Sequence, residues 1–173
     1  MRKKTISDRI AWFATELWNT WVADESTSTI NQVKKFQQWT PYSCTAAVLQ
    51  MVLHYVSGHA LSHRDAIKIM QCKPDGALLV DIIKNIRKLG CHIESVKTRT
   101  TAKLKEKLEA GYVAIACDDE SHVHNHAILV VGCNADGFWL IDPITTITSF
   151  RPTDYFLATT CEWTAVRRKN SGR

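Results

Sequence analysis

Residues 38–58 read QWTPYSCTAAVLQMVLHYVSG, a polar loop with a proline that runs straight into an apolar segment. Val48, Leu49, Val52, Leu53 and Val56 keep helical spacing, and Gly58 supplies a C-terminal stop, so the pattern predicts a helix over 44–58. Cys44 opens it. A thiol at a helix N-terminus feels the positive end of the helix dipole, which favours the thiolate and lowers its pKa. A structural cysteine gains nothing from that place, although small residues begin many helices and the position alone is a weak signal.

Downstream the helical pattern continues. Ser62 and Asp65 form an S-x-x-D start for a short helix through Met70. Asp75 opens another, with Leu78, Leu79, Ile82, Ile83, Ile86 and Leu89 on its apolar face and Gly90 ending it. Residues 92–97 read as a strand, and 101–110 as a small charged helix before Gly111. The final third changes period. Tyr112–Cys117, His126–Val131 and Phe138–Asp142 are short apolar runs bounded by turn residues, as buried strands are. Asn134-Ala-Asp-Gly137 reads as a hairpin loop between the last two, and a further strand is expected at 159–166. Helices first and strands afterwards, without βαβ alternation, give an α+β fold: a helical N-terminal half packed on an antiparallel β-sheet formed by the C-terminal half.

The whole chain has 173 residues, 45% hydrophobic and 23% charged, which suits one domain with a sizeable core and is too apolar for disorder. No stretch approaches the ~18 consecutive apolar residues of a membrane span. The net charge of +5 sits in the tails. Arg2, Lys3, Lys4, Arg167, Arg168, Lys169 and Arg173 account for it; without these seven the body holds 15 basic against 17 acidic residues. The body therefore lacks the basic face of a nucleic-acid-binding domain.

Residues 6–23 read as an amphipathic helix with Ile10, Phe13, Leu17 and Trp21 on one stripe and Trp12 and Trp18 nearby. Packing on the domain is the plain reading and docking of a protein partner the sharper one; Asp8, Glu16, Asp24 and Glu25 would repel anionic lipid. Residues 24–31 read as a polar linker. The expected organisation is thus a helix and linker over 1–31, a domain over 32–166 and a basic disordered tail over 167–173. Six cysteines show no C-x-x-C pair. Asp8, Arg9 and Glu16 interrupt any signal-peptide core, so a cytoplasmic protein with reduced thiols is expected.

Three residues outside the helix complete a possible reaction centre. Gln38, six before Cys44, could present its amide, beside the Cys44 backbone N–H, to the oxyanion of an acyl-transfer intermediate; alternatively it is a solvated loop residue. His126 begins the apolar strand AILVVG directly after the polar loop DDESHVHN, a rigid mount with an exposed end, as a general base needs. Asp142 ends the next strand before Pro143. If the two strands pair, Asp142 and His126 reach the same end, and the carboxylate could fix the imidazole tautomer; Asp-Pro alone would be a turn.

Together these residues resemble the C39-type and C39-like cysteine peptidases, on the papain-like fold. Gln38-x5-Cys44, His126-Ala-Ile-Leu-Val-Val-Gly and Trp139-Leu-Ile-Asp142-Pro143 match the family pattern in order. Gly76-Ala-Leu-Leu, Gly90 and Leu108-Glu-Ala-Gly-Tyr-Val-Ala-Ile look similar too, so the resemblance spans roughly residues 33–145. It implies a bacterial thiol hydrolase without cofactor, acting on a peptide or isopeptide through Cys44, His126, Asp142 and Gln38 and an acyl-enzyme. Trp39, His124 and Trp139 are the candidates for substrate contact. Two departures stand out. Thr45 replaces the glycine that often follows the cysteine and could crowd the oxyanion site, and no ATP-binding transporter region is expected.

Deamidation or acyl transfer would use the same machinery, and a toxin or defence effector would share its chemistry. A non-catalytic papain-like binding module would not need all four residues. His122, His124 and His126 form H-x-H-x-H, but acidic neighbours make the segment a loop, poorly suited to tetrahedral metal geometry. No metal site is expected. His54, His59 and His63 read as surface or satisfied core residues.

Overall fold

A computed structural model describes residues 29–74, 77, 79–91, 93–97, 100–119 and 126–168. The expected helix over 6–23 and His122 and His124 lie outside these. After a single 3-10 turn at Ile30–Gln32 come α1 (Cys44–Ser57), α2 (His63–Met70), α3 (Leu79–Lys88), β1 (Ile93–Lys97), α4 (Thr101–Glu109) and β2 (Val113–Asp118). They are followed by β3 (His126–Cys133), β4 (Gly137–Ile141), β5 (Thr148–Pro152), α5 (Thr153–Thr159) and β6 (Thr160–Arg168). Among the described residues the sheet has six strands in the order β1-β6-β2-β3-β4-β5, and every neighbouring pair is antiparallel.

The α1 helix forms where the apolar spacing predicts it. Gly58 takes the left-handed conformation at φ 68° and returns its N–H to the His54 carbonyl at 2.8 Å, a closure that favours glycine. Ser62 caps α2 as its S-x-x-D pattern predicts, its hydroxyl accepting the Asp65 N–H. The helix α1 is buried on nearly all sides: Ala46 through Leu49 and Met51 through Leu53 are fully enclosed. Each of its Val and Leu side chains contributes about 1.5–3 kcal/mol of hydrophobic stabilisation.

The sheet is covered on both faces, which explains why its central strands read as unbroken apolar runs. Val113, Ile115, Ala127, Leu129, Val131 and Ile141 face the α1 core. Ala114, Ala116, Ile128, Val130 and Leu140 form a second core with Leu104 and Leu108 of α4 and Phe156 of α5. The expected helical layer from the N-terminal half is there, and α4 and α5 add another behind the sheet.

Several boundaries differ from expectation. The third helix begins at Leu79, four residues after Asp75. Residues 29–31, expected in the linker, are already folded: Thr29 is buried and Ile30 packs on the core. Arg167 and Arg168, assigned to the tail, continue β6, because β1 extends the pairing to Arg168 and the Arg167 guanidinium lies 4.7 Å from the Tyr112 ring centre. Neither β5 nor α5 is anticipated. TSFRP is a half-exposed edge strand ending in proline, a composition that does not announce a strand.

Candidate active site

Ser43 precedes α1 but does not cap it; its Oγ instead accepts the Trp39 and Thr40 N–H groups at 3.2 and 3.0 Å. The first amides of α1 are therefore free of a side-chain cap, leaving the positive helix end to Cys44. Cys44 itself is only 7% exposed. Burial pushes its thiol up, but hydrogen bonds from His126 and the Ala127 N–H, the imidazolium charge and the Thr45 N–H outweigh this and leave its pKa lowered. Two other thiols go the opposite way. Burial raises Cys72, and burial with the Glu109 charge lifts Cys133 to about 11.

His126 stands at the first position of β3, with its ring almost wholly buried. Its Nε2 lies 2.8 Å from Asp142 Oδ1, which leaves Nδ1 as the nitrogen toward the Cys44 thiol. Burial works against the charged ring, yet bonds to Asp142 and Cys44 and their negative charges carry its pKa up to about 9. Asp142 follows β4 in a tight turn, where its Oδ1 also accepts the Ile144 N–H at 2.8 Å. Burial would raise its pKa, but His126, the Ile144 amide and the Arg151 charge hold it below the usual carboxylate range. The β3–β4 pairing expected from the sequence is what brings His126 and Asp142 to one end of the sheet.

The Gln38 loop is fastened to the same turn. Its backbone N–H donates to the Pro143 carbonyl at 2.9 Å, and the Gln37 side chain donates to the Ile144 carbonyl at 3.1 Å. The Gln38 Nε2 donates to the Thr40 carbonyl at 2.9 Å, so one of its two amide protons is held and the other is left. Thr45, the residue that departs from the family pattern, is buried, and its hydroxyl lies 3.5 Å from Cys72 Sγ.

Among the candidates for substrate contact, Trp39 is 70% exposed beside Gln38. Trp139 is only 6% exposed and packs against Phe150 inside the α1 core. His124 lies outside the described residues. His126 gives its nitrogens to Asp142 and Cys44 and so cannot serve as the third imidazole of H-x-H-x-H.

Sequence reasoning gives no part in the site to five other side chains found here. Asp118, in register opposite His126, takes a bidentate pair from Arg151 at 2.7 and 2.8 Å. His63 and Gln50 form a buried polar pair behind Trp39. A serine directly before a helix-opening residue is a visible signal for Ser43. Nothing local marks the other four, whose partners are distant in sequence.

A helix laid across an antiparallel sheet, with a cysteine as its first residue set against the sheet's end, is the architecture of the papain-like cysteine peptidases. The match narrows further: the model of the peptidase C39 family covers residues 32–157, and the chain belongs to that family and is a cysteine peptidase.

Solved structures share the fold. A double glycine motif protease from an AMS/PCAT transporter, in complex with its leader peptide, is 19% identical with a TM-score of 0.66 over 79% of this chain and 92% of that one. The peptidase domain of Streptococcus ComA, a bi-functional ABC transporter, is 19% identical with a TM-score of 0.67 over 79% of this chain and 99% of its own. The peptidase domain of Streptococcus mutans ComA is 18% identical with a TM-score of 0.58, over 77% and 96%. No curated protein sequence matches the chain. Among the described residues, no helix is long and apolar enough to cross a membrane.

Proposed function

We propose that the chain hydrolyses a peptide bond with Cys44 as nucleophile, His126 as acid and base, and Asp142 as the group that orients and charges the imidazole. The observation that carries this reading is the pairing itself: a thiol shifted down and an imidazole shifted up to about 9, in contact at a helix N-terminus. The Cys44 sulfur attacks the carbonyl carbon, and the oxyanion is held by the Cys44 N–H and the free amide proton of Gln38. His126 passes its proton to the leaving amine as the C–N bond breaks, leaving a thioester. Water, deprotonated by His126, attacks the thioester; the acid departs and the thiol is restored.

The substrate class is a polypeptide, by analogy with the leader peptide bound to the transporter protease. A nucleophile that works as a free thiolate suits the reducing cytoplasm, the compartment proposed here.

The test is the rate of iodoacetamide alkylation against pH, with the modified cysteine located by mass spectrometry, in wild type and His126→Ala. Cys44 should react selectively, with an apparent pKa well below the ~8.5 of a free thiol. The variant should lose this. An inert Cys44, or one that reacts like any other thiol in both proteins, would sink the proposal.

A further inference from the structure

Behind the Gln38 loop lies a buried polar chain that the reaction scheme does not use. His63, on the first turn of α2, is 4% exposed. Its Nδ1 lies 2.6 Å from Gln50 Oε1, and Gln50 spends its Nε2 on the Leu61 carbonyl at 2.7 Å. The amide oxygen can only accept, so Nδ1 carries the proton and Nε2 is an acceptor. That nitrogen faces the Trp39 N–H at 3.3 Å and the Ser43 hydroxyl at 3.2 Å, while the Trp39 ring stacks on the imidazole at 4.7 Å.

The chain continues to the catalytic side. The Ser43 Oγ accepts the Trp39 and Thr40 amides, and the Thr40 carbonyl accepts the Ser43 N–H at 3.2 Å and the Gln38 side chain at 2.9 Å. The carbonyl that aims the Gln38 amide is therefore itself fixed by Ser43, whose single hydroxyl proton is shared between the Thr40 carbonyl and His63 Nε2, each at 3.2 Å, while His63 also holds the loop through the Trp39 backbone N–H. The partners offered by α1 and the loop are Gln50, Ser43 and Trp39, none of them titratable; Arg64 and Asp65, on its own helix, are exposed. Burial alone pushes the His63 pKa down, so the ring keeps its lone pair.

We propose that His63 is a positioning residue: as a buried neutral acceptor it locks the loop from Gln38 to Ser43 and so aims the Gln38 amide at the oxyanion. This rests on the catalytic reading above and deepens it. A donor displaced by about 1 Å costs much of its effect on a transition state, whereas a reaction without an oxyanion does not sense it.

The experiment compares two reactions of Cys44: acylation by p-nitrophenyl acetate, which passes through an oxyanion, and alkylation by iodoacetamide, which does not. His63→Leu, of similar bulk but without an acceptor, should slow acylation about tenfold and leave alkylation within about twofold. His63→Gln, whose amide oxygen can take the Trp39 N–H, should recover most of the loss. Adding His63→Leu to Gln38→Ala should cost little more, because the effect runs through Gln38. Should His63→Leu fail to fold, Ser43→Ala decides the matter by the same selective loss.

Unchanged acylation in a folded His63→Leu or Ser43→Ala overturns the inference. So does an equal fall in both reactions that His63→Gln does not rescue. A wild-type chain that acylates no faster than a free cysteine peptide overturns the catalytic reading as well, which separates the two failures.

Discussion

Two histidines of this chain are buried to nearly the same degree, His126 at 1% and His63 at 4% exposure, and their surroundings push them in opposite directions. His126 has Asp142 behind it and a thiol in front, and its pKa rises to about 9. His63 has the Gln50 amide behind it and backbone and hydroxyl donors in front, and its pKa falls. Burial lowers both; only a carboxylate and a thiolate reverse it. The partner behind the ring therefore decides whether a buried imidazole is a charged acid or a neutral acceptor. Their stabilities should run oppositely with pH. The contribution of His126 is full below about 6.5 and is lost as pH rises through about 9. That of His63 is present above about 6.5 and is lost as pH falls through its lowered pKa.

The largest break of this contrast is His126→Ala. It removes the proposed base and should lower acyl transfer to Cys44 by about 10²–10⁴-fold. Without the imidazolium, only the Ala127 and Thr45 N–H groups are left to oppose the burial of the thiol, and the alkylation profile should move to higher pH. Asp142→Asn keeps the ring and replaces its carboxylate with an amide, making the His126 surroundings resemble those of His63. The His126 ring signals followed by NMR should then titrate well below 9, and acyl transfer should fall less than in His126→Ala. Equal losses in the two variants would break the division between base and orienting group.

The converse exchange is Gln50→Glu, which puts a carboxylate behind His63. The His63 pKa should rise, and once charged the ring donates from Nε2, where it now accepts from Trp39. Acylation by p-nitrophenyl acetate should fall about tenfold or less, as for a misplaced oxyanion donor, while alkylation holds. The melting temperature should also drop, because the Leu61 carbonyl loses its donor, at a cost of about 1–3 kcal/mol. A His63 titration that does not move would show that the partner behind the ring is not what sets its charge.

The sequence makes the His126 side of this comparison visible and leaves the His63 side dark, for a physical reason. Cys44, His126 and Asp142 sit at the ends of regular elements, and strong local patterns give those ends away: an apolar helix closed by Gly58, and two apolar strands joined by a turn. Their convergence follows once β3 and β4 pair. His63 is tied to Gln50 and Ser43 from 13 and 20 residues away, contacts that leave no local pattern. Trp139 shows the same limit from the other direction. Named from the sequence as a candidate for substrate contact, it is turned by strand alternation into the α1 core. Gly137 reads as a hairpin glycine, yet a Cβ there would strike the Arg151 carbonyl of β5, a strand whose polar sequence hides it.

The smallest expected effect belongs to Trp39→Ala. The indole is 70% exposed, so its removal forfeits little buried area, and the fold should lose no more than about 1 kcal/mol. Its ring nevertheless forms one wall of the His63 pocket at 4.7 Å, and the backbone N–H that reaches Nε2 remains in the variant. Water gaining that face should relieve the burial that holds the imidazole neutral, and the His63 pKa should climb toward 6.5. The acid-side loss of stability should shrink with it, since less of the folded state's preference for the neutral ring is left. An NMR titration of His63 alongside melting curves at two pH values reads both effects. If the pKa stays low with the indole gone, the neutral ring is kept by Gln50 and Ser43 alone, and Trp39 serves only the outer face of the site.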